Sequence, residues 1–179
     1  IGSFEVLRSY AVSNYPLPIK ILMYEHQAPM MVQVLNALNS DVANTLITLD
    51  GSPSGLLKVK EAIDSGTTVG LLGDRILGEG KDKTVTCTLL GEPVKMSTAP
   101  IIMASALKVP LIVFFGVYLG GNRYKIHFEL LAEEIILSRK TRQQDIQAYT
   151  QKYVDILEKQ MLETPYNWFN FYDYWQGGE

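Results

Sequence analysis

The sequence predicts an α/β fold: a single domain with a mixed, mostly parallel sheet flanked by helices. Short runs rich in apolar and β-branched residues alternate with longer segments of helical periodicity, the order expected of strands joined by crossover helices. The chain has 179 residues, the usual size of one compact domain, and it shows no internal repeat, low-complexity tract or linker. We therefore expect residues 1–179 to form one domain.

The N-terminal part of the chain alternates between helical and strand-like patterns. Pro29 stands where a helix begins, Ser54 is a suitable N-terminal cap, and Gly66 lies where a C-terminal cap belongs. The run at 67–72 is nearly all apolar, which is typical of a strand covered on both faces of a parallel sheet. In order, the predicted elements are a helix in 4–11, a strand at 19–24, a helix from Pro29, a strand at 45–49, a helix after Ser54 and a strand at 67–72.

The C-terminal part continues with three strands and two helices. Residues 123–131 alternate strictly between apolar and polar side chains, which predicts a half-exposed strand near an edge of the sheet. Thr141 and Gln144 have the spacing of a capping box at the start of the last helix. The predicted elements are strands at 84–90, 110–117 and 123–131, a helix in 100–106, and a helix from 141 to about 165 whose apolar face carries Ile146, Tyr149, Tyr153, Ile156 and Met161.

Composition excludes several classes of protein. Charged residues make up 20% of the chain and the net charge is −3, which indicates neither disorder nor the basic surface of a nucleic-acid-binding protein. The one cysteine, Cys87, has no partner for an internal disulfide and is expected to be a buried, inert thiol. No Cys/His cluster has zinc spacing, and we expect neither a metal nor a cofactor. No apolar run reaches the ~20 residues needed to cross a bilayer.

Chemistry is expected beyond the carboxyl ends of the strands, where open α/β sheets bind ligands. Three segments qualify. Residues 1–5 would follow a strand lying upstream, residues 25–29 follow the strand at 19–24, and Gly73-Asp74-Arg75 follows the strand at 67–72.

The run Gly-Ser-Phe-Glu at residues 2–5 resembles the end of a motif in bacterial lipid A biosynthesis (lauroyl/myristoyl) acyltransferases, within the lysophospholipid acyltransferase superfamily. That motif has a histidine, four residues and then Asp or Glu. The resemblance implies that the histidine is the residue just before Ile1 and that the chain is an N-terminally truncated acyltransferase core.

Other segments resemble later blocks of the same family, in the same order, over nearly the whole chain. Because lipid A enzymes often carry Asp-Gln where this chain has Asp74-Arg75, the identity of the acceptor stays open. The similar segments are Gly73-Asp74-Arg75, residues 90–93 followed by Thr98 and Pro100, Val109-Pro110, residues 165–168 and Trp175.

The resemblance implies an acyltransferase that moves a fatty acyl group from an acyl carrier protein or coenzyme A thioester to a hydroxyl of a lipid A-like or other glycolipid acceptor. The histidine would be the general base and Glu5 the carboxylate that orients it. Arg75 would bind an anionic group of the acceptor, and Asp74 would hold its guanidinium or shape the loop. The enzyme is expected on the cytoplasmic face of the bacterial inner membrane, peripheral in this part of the chain.

Plainer interpretations stand beside these. Glu5 is also a suitable residue for a helix N-terminus, and Asp74 for a surface turn beside glycine. His26 and His127 are expected to be ordinary turn or surface histidines. The aromatic segment 168–175 suits either a membrane interface or the closing of the core. A non-catalytic lipid-binding or scaffold domain is the alternative function, and a thioesterase that uses water as acceptor is a third.

Overall fold

The computed structural model describes residues 18–24, 45–49, 53–74, 83–168 and 174–175. The helices predicted in 4–11 and from Pro29 lie outside these ranges. The chain divides into two compact units, one of residues 8–72 and one of residues 1–7 with 73–179. The described elements are β1 (Ile19–Tyr24), β2 (Leu46–Leu49), α1 (Pro53–Asp64), β3 (Thr68–Gly70), β4 (Thr84–Leu89), β5 (Glu92–Ser97), α2 (Ala99–Leu107), β6 (Leu111–Tyr118), β7 (Tyr124–Ala132), α3 (Arg142–Glu163) and a 3-10 helix (Pro165–Asn167).

The unit of residues 8–72 contains a parallel sheet. The central strand β1 pairs with β2 on one side and with β3 on the other, both in parallel. Ile21, Leu22 and Ile47 are buried in this unit, as are Val59 and Ala62 of α1. Parallel strands combined with helices and the antiparallel pairs described below confirm the predicted α/β class, and among the described residues the parallel and antiparallel strands form separate sheets. The single-domain organisation stays a prediction.

The end of α1 follows the predicted pattern, but its beginning does not. Gly66 has the left-handed φ of +81° and donates its backbone N–H to Ile63 O at 2.9 Å, so it closes the helix as expected of a C-terminal glycine. Ser54 does not precede the helix: α1 begins at Pro53, whose fixed φ suits the first turn, and Ser54 lies inside it.

The third strand is shorter and more exposed than its sequence indicates. β3 covers only Thr68–Gly70, and Thr68 and Leu72 are exposed. The prediction of a strand covered on both faces was therefore wrong for the described residues of this unit. An apolar run predicts that a strand is present, but it does not determine how far other segments bury the two faces of that strand.

The described strands of the second unit form two antiparallel hairpins. β4 and β5 are joined by the two-residue turn Leu90-Gly91, and β6 pairs with β7 with a register shift at Leu111/Ile112. The sequence patterns predicted β4, β6 and β7 but not β5. Both turn residues have positive φ, +53° at Leu90 and +85° at Gly91, as a tight hairpin requires.

The core of this unit lies between the two hairpins and the helices α2 and α3. The apolar face predicted for α3 is confirmed, because Ile146, Ile156 and Met161 are buried and Tyr149 and Tyr153 pack partly buried against the core. The buried cluster contains Val85, Cys87, Leu89, Val94, Met96, Ile101, Ala104, Val113, Phe115, Val117, Leu131, Ile135, Ile146, Val154, Ile156, Leu157 and Met161.

The predicted capping box at the start of α3 does not form. Thr141 makes no side-chain hydrogen bond to the first backbone N–H groups of the helix. Its hydroxyl instead donates to Asp145 Oδ2 at 3.0 Å, and the same oxygen accepts Ser138 N–H at 2.8 Å. A carboxylate one turn into the helix therefore orders the chain before it, where its charge also suits the positive end of the helix dipole.

Side chains of α3 cover the outer edge of β4. Gln151 pairs with both backbone groups of Thr88: its Oε1 accepts Thr88 N–H at 2.9 Å and its Nε2 donates to Thr88 O at 2.9 Å. Gln147 Nε2 donates to the β4 backbone at 2.6 Å, and Glu158 Oε2 accepts Leu90 N–H at 2.6 Å. The helix thus satisfies hydrogen-bonding groups that an edge strand would leave open.

The strand β7 is half-exposed, as its alternation predicts, but its more apolar side faces outward. Tyr124, Phe128 and Leu130 are exposed, with Phe128 at 58%. His127, on the other side, is partly buried, and its Nδ1 lies 3.1 Å from Oε1 of the buried Gln160 of α3. The polar side of β7 is thus the side that meets α3.

Candidate functional site

Asp74 is the one predicted site residue that the structure describes. Glu5 and Arg75 lie outside the described residues, as do residues 25–29 with His26. Asp74 is half-buried in a turn that it forms with Gly73, in the second unit of the chain. We call Gly73 and Asp74 the Gly-Asp turn.

Gly73 lies directly against the ring of Tyr153, in the middle of α3. A Cβ atom at Gly73 would stand 3.1 Å from the Tyr153 hydroxyl oxygen and 3.2 Å from the ring carbon that carries it. These separations are tighter than ordinary van der Waals contacts. Glycine therefore fits this position because the tyrosine ring occupies the space of a side chain.

Tyr174 contacts the other residue of the turn. Its hydroxyl lies 3.4 Å from the backbone oxygen of Asp74 and 3.5 Å from Met96 Sδ. The ring of Tyr174 packs edge-on against Trp168 at 5.3 Å and Trp175 at 5.7 Å between ring centroids. A residue 100 positions downstream thus meets the Gly-Asp turn from the aromatic end of the chain.

The Tyr153 hydroxyl lies in a protected and negatively charged environment. Burial raises its pKa well above the ordinary value of tyrosine, and the Asp74 carboxylate and Tyr174 raise it further. The phenol therefore stays neutral at neutral pH and keeps its proton beside Asp74. It therefore adds no second negative charge beside the turn.

The tail motif at 165–168 is held to the core by two of its residues. Asn167 is 8% exposed and pairs with both backbone groups of Tyr118 at the end of β6. Trp168 packs against the core and contacts Tyr174 and Trp175 through edge-on ring contacts. For these described residues, the core-closing interpretation of the aromatic segment is the one that the packing supports.

The environment of Cys87 is that of a buried core residue and not of a reactive thiol. Cys87 is 2% exposed; burial raises the pKa of its thiol to about 11, partly offset by a hydrogen bond from Gln147, and the charge of Asp155 raises it further. This matches the inert thiol predicted from the sequence. Within the described ranges, no group of three His, Cys, Asp or Glu side chains is placed to hold a metal ion. Nor does any helix there have the length and apolar character needed to cross a membrane.

Sequence patterns placed Tyr153 on the apolar face of the last helix but did not connect it or Tyr174 with the Gly-Asp turn. Helical spacing identifies a side chain that packs inward, and it does not identify the distant segment on which that side chain packs. The neighbouring glycine is the one local clue, since a glycine without positive φ often marks a close approach.

Comparison with known proteins tests the family resemblance directly. A search of curated proteins finds no match. The family model described as bacterial lipid A biosynthesis acyltransferase matches residues 15–176, a range that includes Asp74 and Arg75 and leaves out Glu5. The match extends over most of the chain and confirms the resemblance first seen in short motifs. The protein therefore belongs to the bacterial lipid A biosynthesis acyltransferase family.

Proposed function

We propose that the protein transfers a fatty acyl group from an acyl carrier protein or coenzyme A thioester to a hydroxyl of a lipid A-like or other glycolipid acceptor. The observation that carries the proposal is the family match over residues 15–176. It supports acyl transfer to a lipid as the class of reaction. The half-buried Gly-Asp turn follows β3 in the sequence and contacts Tyr153 and Tyr174. These contacts support a functional role for this family motif.

The proposed chemistry needs one general base and no covalent enzyme intermediate. The acceptor hydroxyl attacks the thioester carbonyl carbon while an imidazole, supplied by the residue before Ile1, takes its proton. The tetrahedral intermediate then collapses, the carbon–sulfur bond breaks, and the carrier thiol leaves with the proton returned by the imidazolium. Glu5 accepts the second N–H of the imidazole, which sets its tautomer and stabilises its charged form.

Arg75 and Asp74 bind the acceptor in this proposal. A guanidinium presents a planar pair of donors that fits a phosphate or carboxylate, whereas lysine presents only a point charge. Asp74, which immediately precedes Arg75, holds this fork or shapes the turn that carries it. The family relationship also supports a peripheral location at the cytoplasmic face of the bacterial inner membrane, where a lipid acceptor is accessible.

The test of Glu5 uses the full-length protein with lauroyl thioesters of acyl carrier protein and of coenzyme A, and a phosphorylated lipid A-like disaccharide as acceptor. Glu5→Gln should lower kcat by at least about a hundredfold, because an imidazole without the orienting carboxylate loses most of its contribution as general base. Glu163→Gln, which changes an exposed carboxylate at the end of α3, is the matched control and should transfer normally. Near-normal transfer by Glu5→Gln would rule out its assigned role.

The test of Arg75 separates acceptor binding from donor binding. Arg75→Lys should raise the acceptor KM by about tenfold or more, because the bidentate fork is lost while the charge remains. The donor KM should not change, and Arg139→Lys at an exposed position should change neither. Binding of the acceptor without any transfer would favour the scaffold function, and release of free laurate without acceptor would favour a thioesterase.

A further inference from the structure

The middle of α3 and the Gly-Asp turn are in close contact through Tyr153 and Gly73. The Tyr153 ring is partly buried and packs against the core of the second unit. A Cβ at Gly73 would meet the hydroxyl oxygen at 3.1 Å and the adjoining ring carbon at 3.2 Å. The ring therefore has little freedom to move aside for even one added carbon atom.

Backbone conformation does not account for the glycine. Gly73 lacks the positive φ found at Gly66 and Gly91, so an alanine would fit its backbone without strain. A Cβ there would instead press on the Tyr153 ring, which would have to give by a few tenths of an ångström. The turn therefore rests against a ring that itself packs on the core.

The chemistry of the hydroxyl suits a neighbour of an acidic turn. Since burial, Asp74 and Tyr174 all favour its neutral form, the phenol retains its proton next to the Asp74 carboxylate. On the same turn, the Tyr174 hydroxyl lies 3.4 Å from Asp74 O. Two tyrosines from separate parts of the chain therefore surround the residue that precedes Arg75.

We propose that Tyr153 is a positioning residue for acceptor binding: its ring fixes the location of the Gly-Asp turn, the two residues that directly precede Arg75 in the sequence. The inference rests on the proposed function, because it concerns Arg75 in its role toward an anionic acceptor. Tyr153 acts through the turn and does not itself contact substrate. A shift of the turn should consequently change acceptor binding and leave donor binding intact.

A double-mutant cycle tests this coupling in the full-length protein, with lauroyl acyl carrier protein as donor and the phosphorylated lipid A-like disaccharide as acceptor. In the unmutated background, Gly73→Ala should lower kcat/KM for the acceptor by about tenfold, because the added Cβ pushes the turn away from the Tyr153 ring. In the Tyr153→Leu background, which lacks the ring, the same change should lower kcat/KM by less than about twofold. The donor KM should stay constant throughout. Equal losses from Gly73→Ala in both backgrounds would overturn the proposal.

Tyr149→Leu is the matched control background. Tyr149 also packs partly buried against the core from α3, but its hydroxyl lies 3.5 Å from Ile136 N, away from the turn. In this background Gly73→Ala should keep its full effect. A loss of that effect would point to general loosening of the helix and would contradict a specific role of Tyr153.

Tyr153→Phe serves if Tyr153→Leu does not fold, since it keeps the ring and removes only the hydroxyl. Because the hydroxyl oxygen is the atom that a Cβ at Gly73 would meet first, at 3.1 Å, Gly73→Ala should lower kcat/KM for the acceptor less in this background than in the unmutated protein. An undiminished effect of Gly73→Ala would overturn the proposal. Absence of transfer by the unmutated protein would refute the proposed function itself, whereas transfer with an additive cycle would refute only the positioning role.

Discussion

Replacement of Asn167 by Asp should destabilise the protein more than replacement by Ala, although Asp is nearly identical to Asn in shape. Asn167 Oδ1 accepts Tyr118 N–H at 2.6 Å, and its Nδ2 donates to Tyr118 O at 3.2 Å. One side chain thus satisfies both backbone groups of the last residue of β6, as a neighbouring strand would. With 8% of Asn167 exposed, water has little access to replace these bonds.

The structure gives the order of the two effects. Each hydrogen bond contributes about 0.5–1.5 kcal/mol, so Asn167→Ala, which removes both, should lower the free energy of unfolding by about 2 kcal/mol. Asn167→Asp keeps the acceptor but places a charged oxygen where Nδ2 faced Tyr118 O. Loss of the donor, repulsion between the two oxygens and burial of the charge together should cost about 3 kcal/mol.

Urea unfolding near neutral pH, followed by tryptophan fluorescence, measures this difference in the free energy of unfolding. The chain has two tryptophans, Trp168 and Trp175, and both lie in the aromatic cluster beside Asn167. Tyr166→Ala is the control, because Tyr166 is 93% exposed and should change stability by no more than about 0.5 kcal/mol. An Asp variant as stable as the unmutated protein, or more stable than the Ala variant, would refute the two-bond interpretation.

Two further predictions concern α3 and β4. Gln151→Ala should lower the free energy of unfolding by about 1 kcal/mol in the same urea assay, because two solvent-accessible hydrogen bonds to Thr88 are lost. The control Gln144→Ala, on the exposed first turn of α3, should have almost no effect. Equal effects of the two changes would contradict the proposal that Gln151 covers the edge of β4. Cys87 should react slowly with a disulfide reagent at about pH 8, because with a pKa of about 11 only about one thiol in a thousand is thiolate. The reaction rate should rise as the pH approaches 11 and increase sharply when urea unfolds the protein. Similar rates in native and unfolded protein would contradict the prediction, because they would show that the thiol is accessible.

Local patterns predicted most elements because they report what each segment contributes by itself. The bounds of β1 agree with the apolar run at 19–24, and the inward face of α3 agrees with its helical spacing. The hairpin strand β5 escaped prediction for a physical reason. The turn before it uses Leu90 at φ +53°, a conformation that leucine rarely adopts. Pro93 lies inside the strand, where sequence patterns do not favour proline; it is tolerated because β5 is an edge strand that pairs only with β4 among the described strands.

The alternation in β7 shows what periodicity leaves open. It sorts side chains onto two faces correctly, but the rule that the apolar face lies inward fails here. His127 and Gln160 satisfy each other between β7 and α3, and Lys152 donates to Leu131 O across the same gap. Because hydrogen bonds make a partly buried polar face acceptable, the orientation depends on α3, which no pattern within β7 encodes.

The candidate site divides along the same line. Glu5, Asp74 and Arg75 were predicted from their places after strands and from family motifs, and their roles stay predictions. Tyr153 is different, because its contribution arises from contact with a glycine far away in the sequence. In Gly-Asp-Arg, a glycine suggests backbone freedom; at Gly73 the ordinary φ shows that the requirement is steric and comes from α3. If Tyr153 has the positioning role proposed for it, a change on the buried side of the last helix should alter acceptor binding, even though no residue of the turn has changed.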